Sequence, residues 1–372
     1  MSNSGFKVFD SDLHIIEPPD LWPRYIEARY TDRVPVGETQ YPADIGMRHD
    51  GKLWGRPEVP ELPGGPKSGE HFRKSAERWR HFEDVGWTGE AQIEAMDEEG
   101  IDLSVMFPSR GLFAMTDPNV ETDLAAAMAR AYNNWLYDFM EPDRERMYGA
   151  AMISPFDVDD AVREVRRAVK ELGFKAVYFR ATLVAQWNWE DPYYDPLWAE
   201  CAELDVPVAF HEATGSGAVP VGQRFAKNPM LWHTVSHPLE QMLTVVAMCG
   251  GGVLARHPTL RVAFLEGNCS WLPFLLWRLD EHVELFVDVA EEMTMMPSAY
   301  FRRQCFASVE SDEEPVQYVV ADGVLDQVVF STDFPHPDSK YPNSVDRFLK
   351  LGISDAAKKQ ILWDNSKALY DL

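Results

Sequence analysis

Four side chains in this sequence have the types and settings to hold a divalent cation: Asp12, His14, His211 and Asp333. Asp12 and His14 stand two residues apart at the end of an extended run, so the period of a strand turns both to the side that Val8 also faces. A carboxylate and an imidazole converging in this way make a hard pair of oxygen and nitrogen ligands. His211 closes the apolar run Val206 to Phe210 just before a loop containing Gly215, which places a third ligand at a strand end. Asp333 follows Val328-Val-Phe-Ser-Thr332 in the same manner. Burying that carboxylate is costly unless a cation or strong donors compensate.

These side chains need a scaffold that brings strand ends together. From about residue 90 onward, short β-branched or aromatic runs alternate with longer amphipathic ones, the pattern of βα units around a parallel sheet. The spacing predicts strands at 6–12, 102–107, 147–152, 174–179, 206–211, 261–266, 304–309 and 327–332. Eight is the number that closes an α/β (β/α)8 TIM barrel, whose chemistry sits at the carboxyl ends of the strands. Helices are predicted at 90–99, 120–139, 157–172, 194–204, 238–249, 271–287 and 312–321, with extra C-terminal helices at 343–350 and 354–369. Residues 20–89 break the rhythm, being rich in Pro, Gly, Trp and charge, and read as an insertion after strand 1 within a single domain spanning 1–372. Trp54, Trp79, Phe82 and Trp87 argue that this insertion is ordered, over the barrel mouth or at a subunit contact.

Two further strand ends are polar. Arg180 ends strand 4, where it either clamps a substrate carboxylate or pairs with Glu190 or Asp191. Glu310 ends strand 7 and either supports an inner histidine or caps the acidic start of the next helix. Trp271, Trp277, Met293, Met295 and Met296 line a pocket or, as is commoner, pack in the core.

Composition excludes several classes. In 372 residues there are 35 Lys and Arg against 60 Asp and Glu, a net charge of −25, so phosphate backbones and anionic membranes repel the chain. A chain of this length builds a core without metal or disulfide staples. Cys201, Cys249, Cys269 and Cys305 have no C-x-x-C spacing and read as reduced core residues. With neither a signal peptide nor a membrane span in the sequence, a cytoplasmic location is expected.

The passages VFDSDLHIIEPPDLW, PVAFHEATGSG, RHPTLRVAFLEGNCSWLPFLLWRLDE and VVFSTDFPHPDS together resemble the amidohydrolase superfamily. They are most similar to its amidohydrolase-2 group, which includes aminocarboxymuconate-semialdehyde decarboxylase and the aromatic acid decarboxylases. The resemblance covers nearly the whole chain outside 20–89. It implies that Asp12 and His14 fill the strand-1 ligand positions, that His211 is the strand-5 ligand, and that Asp333 both touches the metal and handles protons. It also implies a dimer or larger homo-oligomer. The set suits Zn, Mn or Fe.

One departure matters. Where the decarboxylases carry a catalytic histidine at the end of strand 6, this chain has Glu266. Glu17, His237 and His336 are further metal-competent groups near strand ends. A turn cap ahead of Pro18 is the alternative for Glu17, and an N-terminal helix position before Pro238 for His237. If Glu17, His237, Glu266 and His336 converge on the first four, the acids exceed what one cation can use, and a second metal is the simplest neutraliser. The expected activity is metal-dependent hydrolysis or non-oxidative decarboxylation of a small, carboxylate-bearing substrate. Asp333 and Glu266 move the proton, with His237 and Arg180 as further catalytic candidates. The alternative is a non-haem dinuclear iron or manganese–iron oxygenase.

Overall fold

The computed structural model describes residues 5–34, 36–37, 47–49, 52–54, 78–213, 221–289, 293–336 and 338–372. Eight runs of Val, Ala and aromatic residues form parallel strands: Phe9–Ile15 (β1), Leu103–Pro108 (β2), Met147–Met152 (β3), Ala176–Arg180 (β4), Val208–His211 (β5), Val262–Leu265 (β6), Cys305–Val309 (β7) and Val328–Phe330 (β8). They pair in that order in one sheet. The ends of the sheet meet where the His14 amide donates to Phe334 O at 2.7 Å, beside the Ser331 hydroxyl bonded to Asp12 O at 3.4 Å. The result is the (β/α)8 barrel that the alternation predicts, with β3 matching its predicted bounds and the others displaced by one to three residues.

The helices between strands are Gly89–Glu99 (α1), Thr122–Phe139 (α2), Val158–Lys170 (α3), Asp195–Glu203 (α4), Pro229–Val245 (α5), Leu272–Leu285 (α6), Pro297–Gln304 (α7) and Val316–Ala321 (α8). Short helices Ser344–Phe348, Asp355–Lys359 and Asn365–Tyr370 follow β8. α3 shows why such segments are helical. Asp157 caps it by accepting the Asp160 amide at 2.8 Å, and Ala161, Val165 and Ala168 recur on the buried face. Complete burial of a valine such as Val165 contributes about 2 kcal/mol.

Two helices depart from expectation. α5 begins at Pro229, nine residues before the predicted start, and carries Pro238 in its interior. The apolar periodicity before that proline was masked by the proline itself, which normally breaks a helix. α7, with the sequence PSAYFRRQ, was not predicted; Pro297, Tyr300, Phe301 and Gln304 are its buried side, and the run Ala299-Tyr-Phe301 in eight residues gives too weak a period.

All four cysteines are reduced and buried, as expected. Within the insertion, three short strands (Val36–Gly37, Met47–His49, Lys52–Trp54) form an antiparallel ribbon. Trp79, Phe82 and Trp87 are buried and meet the loop after β8: Trp79 lies 5.2 Å from Phe334 and 5.3 Å from Tyr341 between ring centres. This part of the insertion therefore braces the segment that carries Asp333 and His336. The side chain of Trp54 lies outside the described residues. Among the described residues no helix is long and apolar enough to cross a membrane.

Candidate metal centre

Asp10, Asp12 and His14 of β1 are all fully buried, and the ladder to β2 shifts register between Asp10 and Leu13. His14 Nδ1 lies 2.7 Å from Pro108 O, so its N–H donates to that carbonyl and leaves Nε2 with a free lone pair. That Nε2 faces Asp12 Oδ1 at 3.6 Å and Asp333 Oδ1 at 3.5 Å. His211, at the end of β5, places Nε2 at 3.2 Å from Asp12 Oδ1 and 3.1 Å from Glu266 Oε2. The rings of His14 and His211 stand 4.6 Å apart, and Phe107 stacks on His211 at 5.7 Å. Burial, then His336 and His211, holds the His14 imidazole well below its usual pKa, so it stays neutral and able to ligate.

Two groups of ligand atoms lie within 4.8 Å of one another: Asp12, His14 and His211, and His14, Glu266, Asp333 and His336. Both oxygens of Asp12, Nε2 of His14, both ring nitrogens of His211, Glu266 Oε2 and Asp333 Oδ1 are buried without a hydrogen-bond partner. Such concentrated, unsatisfied donors and like charges are destabilising unless a cation sits among them. Mixed imidazole and carboxylate ligands fit Zn, Mn or Fe, so the residues present match the divalent ion that the sequence implies.

Glu266 and Asp333 close the cluster from β6 and β8. Both adopt left-handed backbone conformations, with φ of 50° and 55°, which for non-glycine residues persist only where the surroundings over-determine them. Those surroundings are visible. Glu313 accepts from the amides of Cys269 and Ser270 at 3.0 and 2.8 Å and from Asn268 Nδ2 at 3.2 Å, pinning the loop after Glu266. Gln241 of α5 donates to Phe210 O at 2.8 Å and Leu265 O at 2.6 Å, tying the ends of β5 and β6 together. Asp10 accepts from the Asp12 amide and from the Thr332 amide and hydroxyl, which links β1 to β8. Burial, followed by neighbouring acids, raises the Glu266 and Asp333 carboxyls well above the carboxylate range.

The other predicted residues divide. His237 and His336 reach the cluster: His237 Nε2 is 3.6 Å from Glu266 Oε1, and His336 Nδ1 is 2.7 Å from Asp333 Oδ1. His336 Nε2 pairs with the Ser109 hydroxyl at 3.0 Å, and burial lowers this imidazole to about 4. His237 is in the middle of α5, not at a helix start as its alternative reading held. Glu17 does not join the metal groups. It accepts the amides of Ser109, Arg110 and Gly111 at 3.2, 2.8 and 2.8 Å, which corrects the ligand expectation in favour of a cap, although on the turn after β2 and not on its own segment.

Arg180 pairs with neither Glu190 nor Asp191. Its guanidinium is enclosed by Glu212, Ala213 O and, at 3.0 Å, Leu112 O, so it organises the rim between β4 and β5. At β7 the cap is Glu313, which takes the Glu310 amide at 3.2 Å, and Glu310 itself is not the capping group. Trp277 and Met296 are exposed, so the core-packing expectation fails for them.

Sequence reasoning missed Asp10, Ser109, Glu212, Gln241, Glu313 and Tyr178. Asp10 and Glu212 adjoin predicted ligands in DSDLH and HEATG, and that adjacency was an available signal. Tyr178 alternates with Phe179, which packs outward against Trp189 and Trp198, so Tyr178 faces the barrel axis. Its hydroxyl is buried without a hydrogen-bond partner, and its ring lies 6.3 Å from Phe107 and 6.4 Å from His211.

The amidohydrolase family model Amidohydro_2 matches residues 10–372. The chain is 24% identical over 293 residues to 2-amino-3-carboxymuconate-6-semialdehyde decarboxylase of Dictyostelium discoideum, covering 77% of this chain and 78% of that one. It is 26% identical over 295 residues to gamma-resorcylate decarboxylase of Polaromonas sp. (strain JS666), covering 76% and 86%. Among solved structures, an amidohydrolase from Mycobacterium avium subsp. paratuberculosis superposes with a TM-score of 0.79 at 22% identity over 98% of this chain and 99% of that one. Dihydroxybenzoic acid decarboxylase from Polaromonas sp. JS666, solved with manganese and the inhibitor 2-nitroresorcinol, gives 0.70 at 18% identity over 99% and 97%.

Proposed function

The chain belongs to the amidohydrolase family, and from that premise we propose that it is a metal-dependent non-oxidative decarboxylase of a small carboxylated aromatic acid. The observation that carries this reading is the ring of buried, unpartnered donors at the ends of β1, β5 and β8, in a chain whose relatives named above are decarboxylases. Those relatives lend no support to the oxygenase alternative.

Asp12, His14, His211 and Asp333 would hold the divalent cation. Manganese is the ion favoured by the likeness to the manganese-bound decarboxylase. The cation supplies Lewis acidity, fixing and polarising the oxygens of the bound acid. Phe107 and Tyr178 form an aromatic wall beside it, and the free Tyr178 hydroxyl donates to a substrate oxygen. Asp333 is ionised while it holds the cation, as a ligand must be, and takes up the proton that it delivers when the acid binds. As the bond between ring carbon and carboxylate breaks, carbon dioxide leaves and the electron pair remains on the ring carbon. Asp333 delivers its proton there, and solvent restores it in the next turnover. Glu266, flanked by His237 and His336, stands where a histidine is usual and holds a second proton beside Asp333.

A second reading of Glu266 is favoured by the second ligand group, which contains Glu266, Asp333 and His336. There Glu266 is a ligand for a second cation and not a proton carrier.

The test of the activity is turnover of 2,6-dihydroxybenzoate under nitrogen by manganese-loaded protein. Carbon dioxide release without dioxygen, abolished by chelation, is expected. Turnover that appears only when air is admitted, with stoichiometric consumption of dioxygen, would overturn the decarboxylase reading.

A further inference from the structure

α5 presents three polar side chains to the ends of the strands. His237, Gln241 and Thr244 follow one another at i, i+4 and i+7, so they share one face of the helix, and all three are buried. His237 Nε2 lies 3.6 Å from Glu266 Oε1, Gln241 bonds to β5 and β6, and the Thr244 hydroxyl donates to Ala181 O, one residue beyond Arg180, at 3.4 Å. A helix that covers a barrel ordinarily turns apolar side chains inward. On α5 this face instead reaches the ends of β4, β5 and β6 through polar contacts, and Gln241 stands at its centre.

The two carbonyls that Gln241 bonds, Phe210 O and Leu265 O, belong to the peptide units that carry His211 and Glu266. The two N–H groups of a carboxamide diverge by about 120°, so with acceptors at 2.8 and 2.6 Å they span about 4.7 Å, the distance between neighbouring strands. One planar group therefore fixes both peptides where the pairing of β5 with β6 ends, at His211 and Leu265. Beyond that point the side chains of His211 and Glu266 meet with Nε2 and Oε2 3.1 Å apart. The fit around Gln241 is close. A Cβ on Gly267 would stand 2.5 Å from Gln241 Cγ and 3.0 Å from Gln241 Cβ. Glu266 and Asn268 on either side are left-handed, with φ of 50° and 58°, but Gly267 is not, so the approach of Gln241 is what calls for glycine there.

We propose that Gln241 is a positioning residue of the cation site: its carboxamide holds the peptides of His211 and Glu266 at the spacing in which their side chains meet beside the ion. The inference rests on the cation site proposed above.

Manganese binding to the full-length protein, read by electron paramagnetic resonance of the free ion and so independent of turnover, tests this. In Gln241→Met, which keeps the length and loses both donors, the dissociation constant should rise on the order of tenfold with an unchanged circular dichroism spectrum. Gly267→Ala, which displaces the same side chain, should weaken binding likewise and serves if Gln241→Met does not fold. Val165→Ala in α3 is the control, because it lowers the melting temperature away from the site and should bind manganese as the wild type does. An affinity within twofold of the wild type in Gln241→Met, or in Gly267→Ala where the first variant does not fold, would overturn the proposal and leave the cation site standing. An equal loss in Val165→Ala would do the same. A wild type that takes up no manganese would overturn the cation site and the proposal with it.

Discussion

Chelation of the divalent cation is predicted to lower the melting temperature by an amount that grows as pH rises above the histidine range. The sign follows from the carboxyls. Burial holds Glu266 and Asp333 well above their ordinary values. In the cation-free protein they therefore keep protons that the unfolded chain has lost, and stability falls as pH rises from the ordinary carboxylate range toward their raised values. The buried histidines act in the opposite sense. Burial lowers His14 and His237 well below 6.5, so their contribution is lost on acidification and is constant above that value. Above the histidine range the carboxyls set the slope, Glu99 and Glu240, raised to about 7, adding to it away from the cation. A bound cation removes the part that belongs to its own ligands by taking the place of their protons. At a thousandfold excess over the dissociation constant, binding stabilises by about 4 kcal/mol. With about 2.1 cal/mol/K of unfolding entropy per residue, a chain of 372 residues loses about 5 °C. Differential scanning fluorimetry with and without chelator at three pH values reads both the gap and its trend. A gap that is absent, or that narrows as pH rises, would refute the reasoning.

Three substitutions probe separate parts of the site. Asp333→Asn should lower kcat by about 10²- to 10⁴-fold while leaving the melting temperature within a few degrees, as measured by carbon dioxide release and calorimetry. Glu212→Ala strands the buried Arg180 guanidinium and should cost about 3–5 kcal/mol, read as a fall in melting temperature that Arg180→Met in the same chain partly recovers. Tyr178→Phe should raise the KM for a hydroxylated benzoate on the order of tenfold but leave that for unsubstituted benzoate unchanged.

The barrel was legible because its strands are almost wholly buried and read as short apolar runs, most of them followed by a polar residue at the end where chemistry occurs. Asp12, His14, His211 and Asp333 stood out for that reason, and the structure sets His14 within 3.6 Å of both Asp12 and Asp333, and His211 3.2 Å from Asp12. What stayed hidden depends on contacts far apart in sequence. Glu17 looks like a ligand until the amides of 109–111 are seen around it, 92 or more residues away. Arg180 has plausible partners ten residues on, but β5 pairs directly with β4 and delivers Glu212 instead. Glu313 resembles any acid at a helix start until the loop of Glu266 folds over it. Trp277 shows a limit of another kind, because an apolar residue on a helix reads as core whether the fold covers it or leaves it exposed.

The account stands on a cation at the ends of β1, β5 and β8, and metal analysis by mass spectrometry of protein purified without added metal addresses it most directly. At least one divalent ion per wild-type chain is predicted, falling below a tenth in a variant carrying Asp12→Asn and His211→Ala. In Glu266→Ala, loss of half the metal from a two-ion wild type would assign Glu266 to a second cation, and unchanged content would leave it as a proton carrier. Metal that is trace in the wild type even after loading, or equal in the wild type and the Asp12→Asn, His211→Ala variant, would contradict the account.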